Sequence, residues 1–257
     1  MAIDISNRPD RPMRKYTIKP KRSGGISADL LKLIAVAAMV IDHIAWAFVP
    51  FGSVLGQAMH IIGRITAPVM CFMVAEGYAY TRDPVKYAKR LGLFAVIAHI
   101  PYIYFESGGF PVIHQTSVMF TLFLGLVALI IRDSPKYEIA VKNMILLIIC
   151  LVAMLGDWGA TAVIWIQVFY AFRFNRREQI KYFCIVSAVM IVLNIIVNAS
   201  VGNFLGSLFQ LGVFLAVPLI TRYNGKRKKS AAGKWFFYVF YPAHLLVLAV
   251  LKYVVFK

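Results

Sequence analysis

Residues 30–50 read LLKLIAVAAMVIDHIAWAFVP. The run is long enough for one helical crossing of a bilayer, which needs about 20 residues. It carries three charged or ionisable side chains: Lys32 at its start, and Asp42 and His43 toward its end. A lipid-spanning segment that keeps an acid and a histidine inside it decides both the fold class and the place to look for function. The rest of the chain repeats the pattern. Apolar runs lie near residues 30–50, 58–80, 90–105, 116–132, 140–156, 158–174, 181–198, 203–221 and 235–255, separated by short polar connections. The third, fifth and sixth are the shortest, and the fifth and sixth are also compatible with a partial hairpin.

Composition agrees. The 257 residues are 60% hydrophobic and 15% charged, against about 45–50% and 25% for soluble domains. The net charge of +17 would suit nucleic acid if it formed one patch, but it falls in short runs between apolar segments. All Lys and Arg except Arg64, Lys252 and Lys257 lie in the N-terminal stretch, just inside the first span, or in the second, fourth, sixth and eighth connections. The intervening connections hold none. This alternation predicts about nine transmembrane helices, with the N-terminus cytoplasmic and the C-terminus outside. Residues 1–29 read as a basic cytoplasmic tail, and 30–257 as one transmembrane domain. No cleavable signal peptide is expected, because the first apolar run is too long for an h-region. Cys71, Cys150 and Cys184 are far apart in apolar stretches and fit neither a metal site nor a disulfide framework.

Ionisable groups inside spans are functional candidates by default. Asp42, His43, His60, Arg64 and His99 stand out, followed by Glu76 and His244. At 1.5 Å per residue, His43, Arg64 and His99 each lie about 9 Å below the outer rim. The first two spans are joined by a short connection, so one of Asp42 and His43 is expected to hold Arg64 and the other to face a cavity. Pro68 removes the hydrogen bond to the carbonyl of Arg64 and predicts a kink there. Trp46, Trp158 and Trp235 are most simply read as an interfacial belt, and His114 as an exposed residue of an outer loop.

At these residues the chain resembles the TraX family of membrane proteins. The resemblance is carried by Leu31-Lys32 through Asp42-His43 and by Gly63-Arg64-Ile65-Thr66-Ala67-Pro68. It continues through Glu76-Gly77-Tyr78 with Thr81-Arg82, Tyr87 with Arg90-Leu91, and Gly156-Asp157-Trp158-Gly159. It ends with Tyr223-Asn224-Gly225-Lys226 and Tyr241-Pro242-Ala243-His244-Leu245. His99-Ile100-Pro101 departs from the family pattern, which has a small hydroxyl residue before the proline. The resemblance implies a multispan acetyltransferase that takes acetyl-CoA and acetylates a pilin N-terminus or another cell-surface acceptor. A more distant similarity is to enzymes that acetylate sugars across a membrane.

On this reading His43 is the general base, Asp42 tunes its neighbours, Arg64 holds Asp42 or an oxyanion, and His244 is a second catalytic candidate. Arg82, Lys86, Lys89, Arg90, Lys226 and Arg227 are the cations available near the basic rim to meet the CoA phosphates; the resemblance puts Arg82 and Arg90 first, and with Asn224 and Lys226 they make four binding candidates. The implied place is a bacterial cytoplasmic membrane, with no metal and no nucleic-acid partner. Two other classes compete: a transporter or proton-coupled carrier, and a non-catalytic component of pilus or conjugation assembly.

Overall fold

The structure, a computed structural model, describes residues 24–108, 115–200, 205–227 and 231–255. Most of the basic tail, His114, Lys228, Lys229, Lys257 and the side chain of Lys234 lie outside the described residues.

Every apolar run carries a helical segment. The first forms α1 (Ala28–Phe48). Ser27 caps it, its hydroxyl accepting from the amide of Leu30. The second run is two helices, α2 (Val54–Gly63) and α3 (Thr66–Tyr80). The break falls at Arg64 and Ile65, where Pro68 cannot donate to the carbonyl of Arg64. Next come α4 (Pro84–Ser107), α5 (Val118–Arg132), α6 (Ile139–Ala153), α7 (Gly159–Ala171) and α8 (Arg176–Ser200). Pro101 lies inside α4 without interrupting it. The fifth and sixth runs are separate short helices, α6 and α7, joined by a turn at 154–158.

The eighth run differs in kind from a plain α-helix. Leu205–Leu215 is a 3-10 helix, followed by the short α9 (Ala216–Thr221). A 3-10 stretch of that length is unusual. It lies tightly against α2: a Cβ on Gly212 would overlap the backbone of Ile61. The last run is α10 (Ala231–Val250), which ends in a π turn at Leu251–Val255.

Four of these segments are long and apolar enough to cross a membrane by themselves: Ala28–Phe48, Val54–Tyr80, Arg176–Ser200 and Trp235–Val255. The outer surface has the matching character. On α8, Ile185, Val189, Val192, Leu193, Ile196 and Val197 are exposed, while Phe183 and Ile191 face inward. A continuous apolar outer face on a helix this long fits lipid and not water. The chain is an all-helical membrane protein.

The core centres on α3, which packs against α1, α5, α7 and α9. Phe72 meets Phe169 edge-on at 5.5 Å between ring centroids, and Phe169 stacks on Phe183 at 5.3 Å. Helix α10 closes the bundle against α4 and α1.

The start of α1 is stitched to the connection before α10. The amide of Ile26 donates to the Arg222 carbonyl, that of Asn224 to Ile26, and that of Ala28 to Lys226, each at 2.9–3.0 Å. Residues 24–29, grouped with the tail by composition, are therefore folded, and α1 begins two residues before the expected span.

Burial separates packing from lipid contact and can be tested directly. Trp165 is fully buried, whereas Leu193 is 57% exposed. Trp165→Ala is expected to cost about 3–5 kcal/mol and Leu193→Ala less than about 0.5 kcal/mol. Denaturation in detergent, followed by helicity, checks the contrast; equal losses would contradict this packing.

Candidate active site

Asp42 and His43 are consecutive on α1, so they point about 100° apart. Asp42 turns toward α2. One of its oxygens accepts from Nδ1 of His60 at 2.8 Å and the other from Arg64 at 2.5 Å. The close approach needs Gly63, because a Cβ there would overlap the Asp42 side chain. Asp42 is thus the partner that Arg64 requires.

Arg64 is only 9% exposed. Its guanidinium lies between the rings of Trp158 and Phe209, at 4.9 and 5.0 Å from their centroids. Its Nε is buried without a partner. His60 is fully buried against Trp46, Phe51 and Phe209. It is a member of the ion network and not a wetted interface residue.

Trp158 corrects a second expectation. It caps Arg64 from the turn between α6 and α7, where it holds φ at +66°. A tryptophan in the left-handed region is strained, and such strain persists only where the surroundings enforce it. Here they do. The amide of Thr116 donates to Leu155, that of Asp157 donates to Thr116, and the Thr121 hydroxyl donates to the Asp157 carbonyl. Trp46 and Trp235 are about half exposed, as an interfacial belt would be.

His43 turns toward α10 instead. Its Nδ1 lies 2.9 Å from Nε2 of His244, and Nδ1 of His244 lies 3.0 Å from the carbonyl oxygen of Phe240. A carbonyl can only accept, so His244 carries its proton on Nδ1. With both rings neutral, Nε2 of His244 must accept from Nδ1–H of His43. That leaves Nε2 of His43 as an unprotonated imidazole nitrogen. Phe105 meets the His43 ring edge-on, and Phe240 stacks on His244. Asp42 and Arg64 remain within electrostatic reach of His43. The four catalytic candidates therefore lie in one neighbourhood, as two hydrogen-bonded sets. His99 is half-buried on α4, and the described contacts do not bring it into either set.

A cavity of about 260 Å³ opens from the basic end of the bundle. Lys32, Thr81, Arg90 and Arg227 line it near that rim, and Met70 and Met119 line it deeper. Thr81 and Met70 are eleven residues apart on one helix, a rise of about 16 Å. Met70, at its deep end, is six residues along the chain from Arg64, and Asp42, His43, Arg64 and His244 are not among the residues that line the cavity.

Arg90 has a buried Nε without a partner, so the wall holds a donor that an anion would satisfy. Arg227 pairs with Glu76 at 3.1 Å and lies over Tyr80. Arg82 and Lys226 are exposed and lie off this wall. The Asn224 side chain is engaged in the chain stitch, donating to Gly24 and accepting from the Lys226 amide. Of the four rim candidates only Arg90 lines the cavity. Arg227, also among the rim cations the sequence offers, joins it there, as does Lys32, whose place on the wall follows from helix packing that spacing alone does not give.

The family model described as TraX protein matches residues 27–252. The chain is 31% identical over 239 residues to the "Probable fimbrial assembly protein FimC, serogroup H1" of Dichelobacter nodosus, covering 90% of this chain and 98% of that protein. It is 35% identical over 97 residues to an uncharacterized protein, RP591, of Rickettsia prowazekii, covering 38% of this chain and 34% of that protein. No solved structure matches it.

Two measurements test the site's electrostatics. Breaking a buried pair costs about 3–5 kcal/mol because the remaining charge is uncompensated. Asp42→Asn and Arg64→Gln should each be destabilising by that order, and the double variant clearly less than their sum. Simple additivity would mean that the pair is not coupled.

The second concerns Asp157, in the turn outside the helices. Burial pushes its carboxyl up to about 6; Arg64 opposes this, and Asp42 and Glu106 add to it. The folded protein then holds a proton that an unfolded aspartate releases near about 3.9. This contribution to stability is present at low pH and is lost as pH rises through about 6. Melting temperature should fall across that window, and Asp157→Asn should remove this component.

Proposed function

This chain belongs to the TraX protein family, and on that premise we propose that it is a membrane acetyltransferase using cytoplasmic acetyl-CoA. The acceptor is an amine or hydroxyl at the outer face, such as a pilin N-terminus or a surface sugar. The observation that carries the reading is the hydrogen-bond chain from Phe240 through His244 to His43, which leaves Nε2 of His43 free to take a proton.

We place nine spans in a bacterial cytoplasmic membrane, with the N-terminus inside and the C-terminus outside. The support is the basic residues gathered at one end of the bundle. Acetyl-CoA then enters from the basic rim. Arg90, Lys32 and Arg227 meet its phosphates, and the pantetheine arm runs along Met70 and Met119. Lys32 and His43 are eleven residues apart on α1, a rise of about 16 Å, which an extended pantetheine arm covers.

His43 removes the proton from the acceptor as the acceptor attacks the thioester carbonyl. The unpartnered Nε–H of Arg64 is placed to receive the developing oxyanion. The new C–N or C–O bond forms, the C–S bond breaks, and the proton on His43 passes to the departing CoA thiolate. Asp42 and His60 hold Arg64 in position.

The Dichelobacter relative is named a probable fimbrial assembly protein, and a second reading compatible with that name is a non-catalytic component of fimbrial assembly. A carrier has less support, because the interrupted runs are the second and the eighth and do not correspond in two repeats. Purified protein given acetyl-labelled acetyl-CoA and a pilin-derived peptide separates these readings. Label transfer is expected, with His43→Ala lowering it by about 10²–10⁴-fold at normal protein levels. Transfer that survives His43→Ala removes the proposed base. If the unaltered protein never transfers label to peptide or sugar acceptors, the assembly reading stands instead.

A further inference from the structure

A second cleft, of about 460 Å³, lies between α5, α6 and α7 at the same basic rim. It shares no lining residue with the donor cavity, and nothing in the proposed chemistry uses it. Its polar edge holds Arg132, the last residue of α5, and Lys142, in the first turn of α6. Its wall continues as Ile139, Leu146 and Ile149.

The polar groups leave a surplus of donors. Arg132 donates to two oxygens of Gln167, at 3.3 and 3.4 Å, and lies over the Tyr170 ring. Because the Gln167 side-chain oxygen is turned to Arg132, its Nε2 is buried without a partner. Asp133 also borders the cleft, but its carboxylate already accepts from the hydroxyls of Tyr78 and Tyr170, at 3.1 and 2.6 Å. Among the described residues neither Arg132 nor Lys142 has a carboxylate partner. Two cations, a buried amide donor and one carboxylate whose oxygen is already taken by tyrosine hydroxyls therefore stand at the head of an apolar groove, a net positive charge. The neighbouring helix α6 buries only Ile149 and Ala153, so the groove opens toward lipid.

We propose that this cleft holds one anionic phospholipid. Its phosphate lies between Arg132 and Lys142, and one acyl chain follows Leu146 and Ile149. Cationic pockets between membrane helices at a cytoplasmic rim recognise anionic head groups in this way. The inference uses the membrane placement above and is independent of acetyl transfer.

The test is native mass spectrometry of the full chain in detergent, titrated with phosphatidylglycerol or with phosphatidylcholine. One phosphatidylglycerol should be retained per chain, and phosphatidylcholine should not. Two rim cations contribute about thirtyfold in affinity, so Arg132→Gln/Lys142→Gln should weaken retention by that order. Leu146→Trp, which fills the groove and keeps both charges, should also weaken it, and Lys181→Gln, at another connection, should not. Equal retention of the two lipids by the unaltered protein would overturn the proposal without recourse to any variant. So would undiminished retention in the double variant, or displacement by millimolar inorganic phosphate, which would show a bare anion site. Loss of acetyl transfer would leave these outcomes unchanged, so the two readings fail separately.

Discussion

A charge inside a hydrocarbon slab has to find its counter-charge within the protein. The Asp42–Arg64 pair is that constraint here, and much of the bundle at that end is arranged around it. The pair draws α2 against α1, which requires a glycine at 63. It places Arg64 at the point where Pro68 has already broken the helix. It also needs lids: Phe209 comes from the 3-10 segment, and Trp158 comes from a turn in a backbone conformation that tryptophan rarely adopts. Replacing such a pair by well-packed apolar groups is often neutral or stabilising. Its presence is therefore better explained by what it positions than by stability.

What it positions follows from helix geometry. With Asp42 committed to α2, its neighbour His43 is turned to α10 and is bonded outside the ion network. His43 is close enough to feel Asp42 and Arg64, but its hydrogen bond is to His244, and Phe105 packs edge-on against its ring. The start of α1 pairs with the connection that precedes α10, through the backbone of 26–28 and 222–226, and α10 itself meets α1 through the two histidines.

Much of this was legible in the residues, for reasons that can be named. Long apolar runs and the alternation of basic connections reveal helices in lipid, and all nine runs carry a helical segment. Rise per residue gives depth, and depth brought Asp42, His43 and Arg64 to one level. It does not give the direction in which a side chain points. His60 therefore read equally well as a rim residue, and the pairing of His43 with His244 across 201 positions was invisible. Trp158 looked like a belt residue because its role depends on a turn whose backbone angle is not encoded in hydropathy. The 3-10 segment has the composition of any apolar span; only its contact with α2 at Gly212 sets it apart. Asn224 looked like a ligand residue because it lies in a family motif, yet its side chain bonds lie within the chain stitch.

The basic rim presents the hardest ambiguity, since cations that orient a chain in a membrane and cations that bind ligands look alike in sequence. Their partners separate them. Lys86 and Lys181 reach carboxylates one helical turn away, Asp83 and Glu178, and are largely exposed. Such pairs contribute little energy, and their positive charge is sufficient to set orientation. Arg227 is a second kind, held by Glu76 and by aromatic rings at the mouth of a cavity. Arg90, Arg132 and Lys142 are a third, with no carboxylate within salt-bridge distance among the described residues and with walls of a cleft beside them. Arg132 is exposed and Arg90 and Lys142 are part-buried, and an anion from outside the chain would give each the counter-charge that the described residues do not supply. Unmet electrostatic demand, more than the number of positive charges, is what marks two places on this rim as sites.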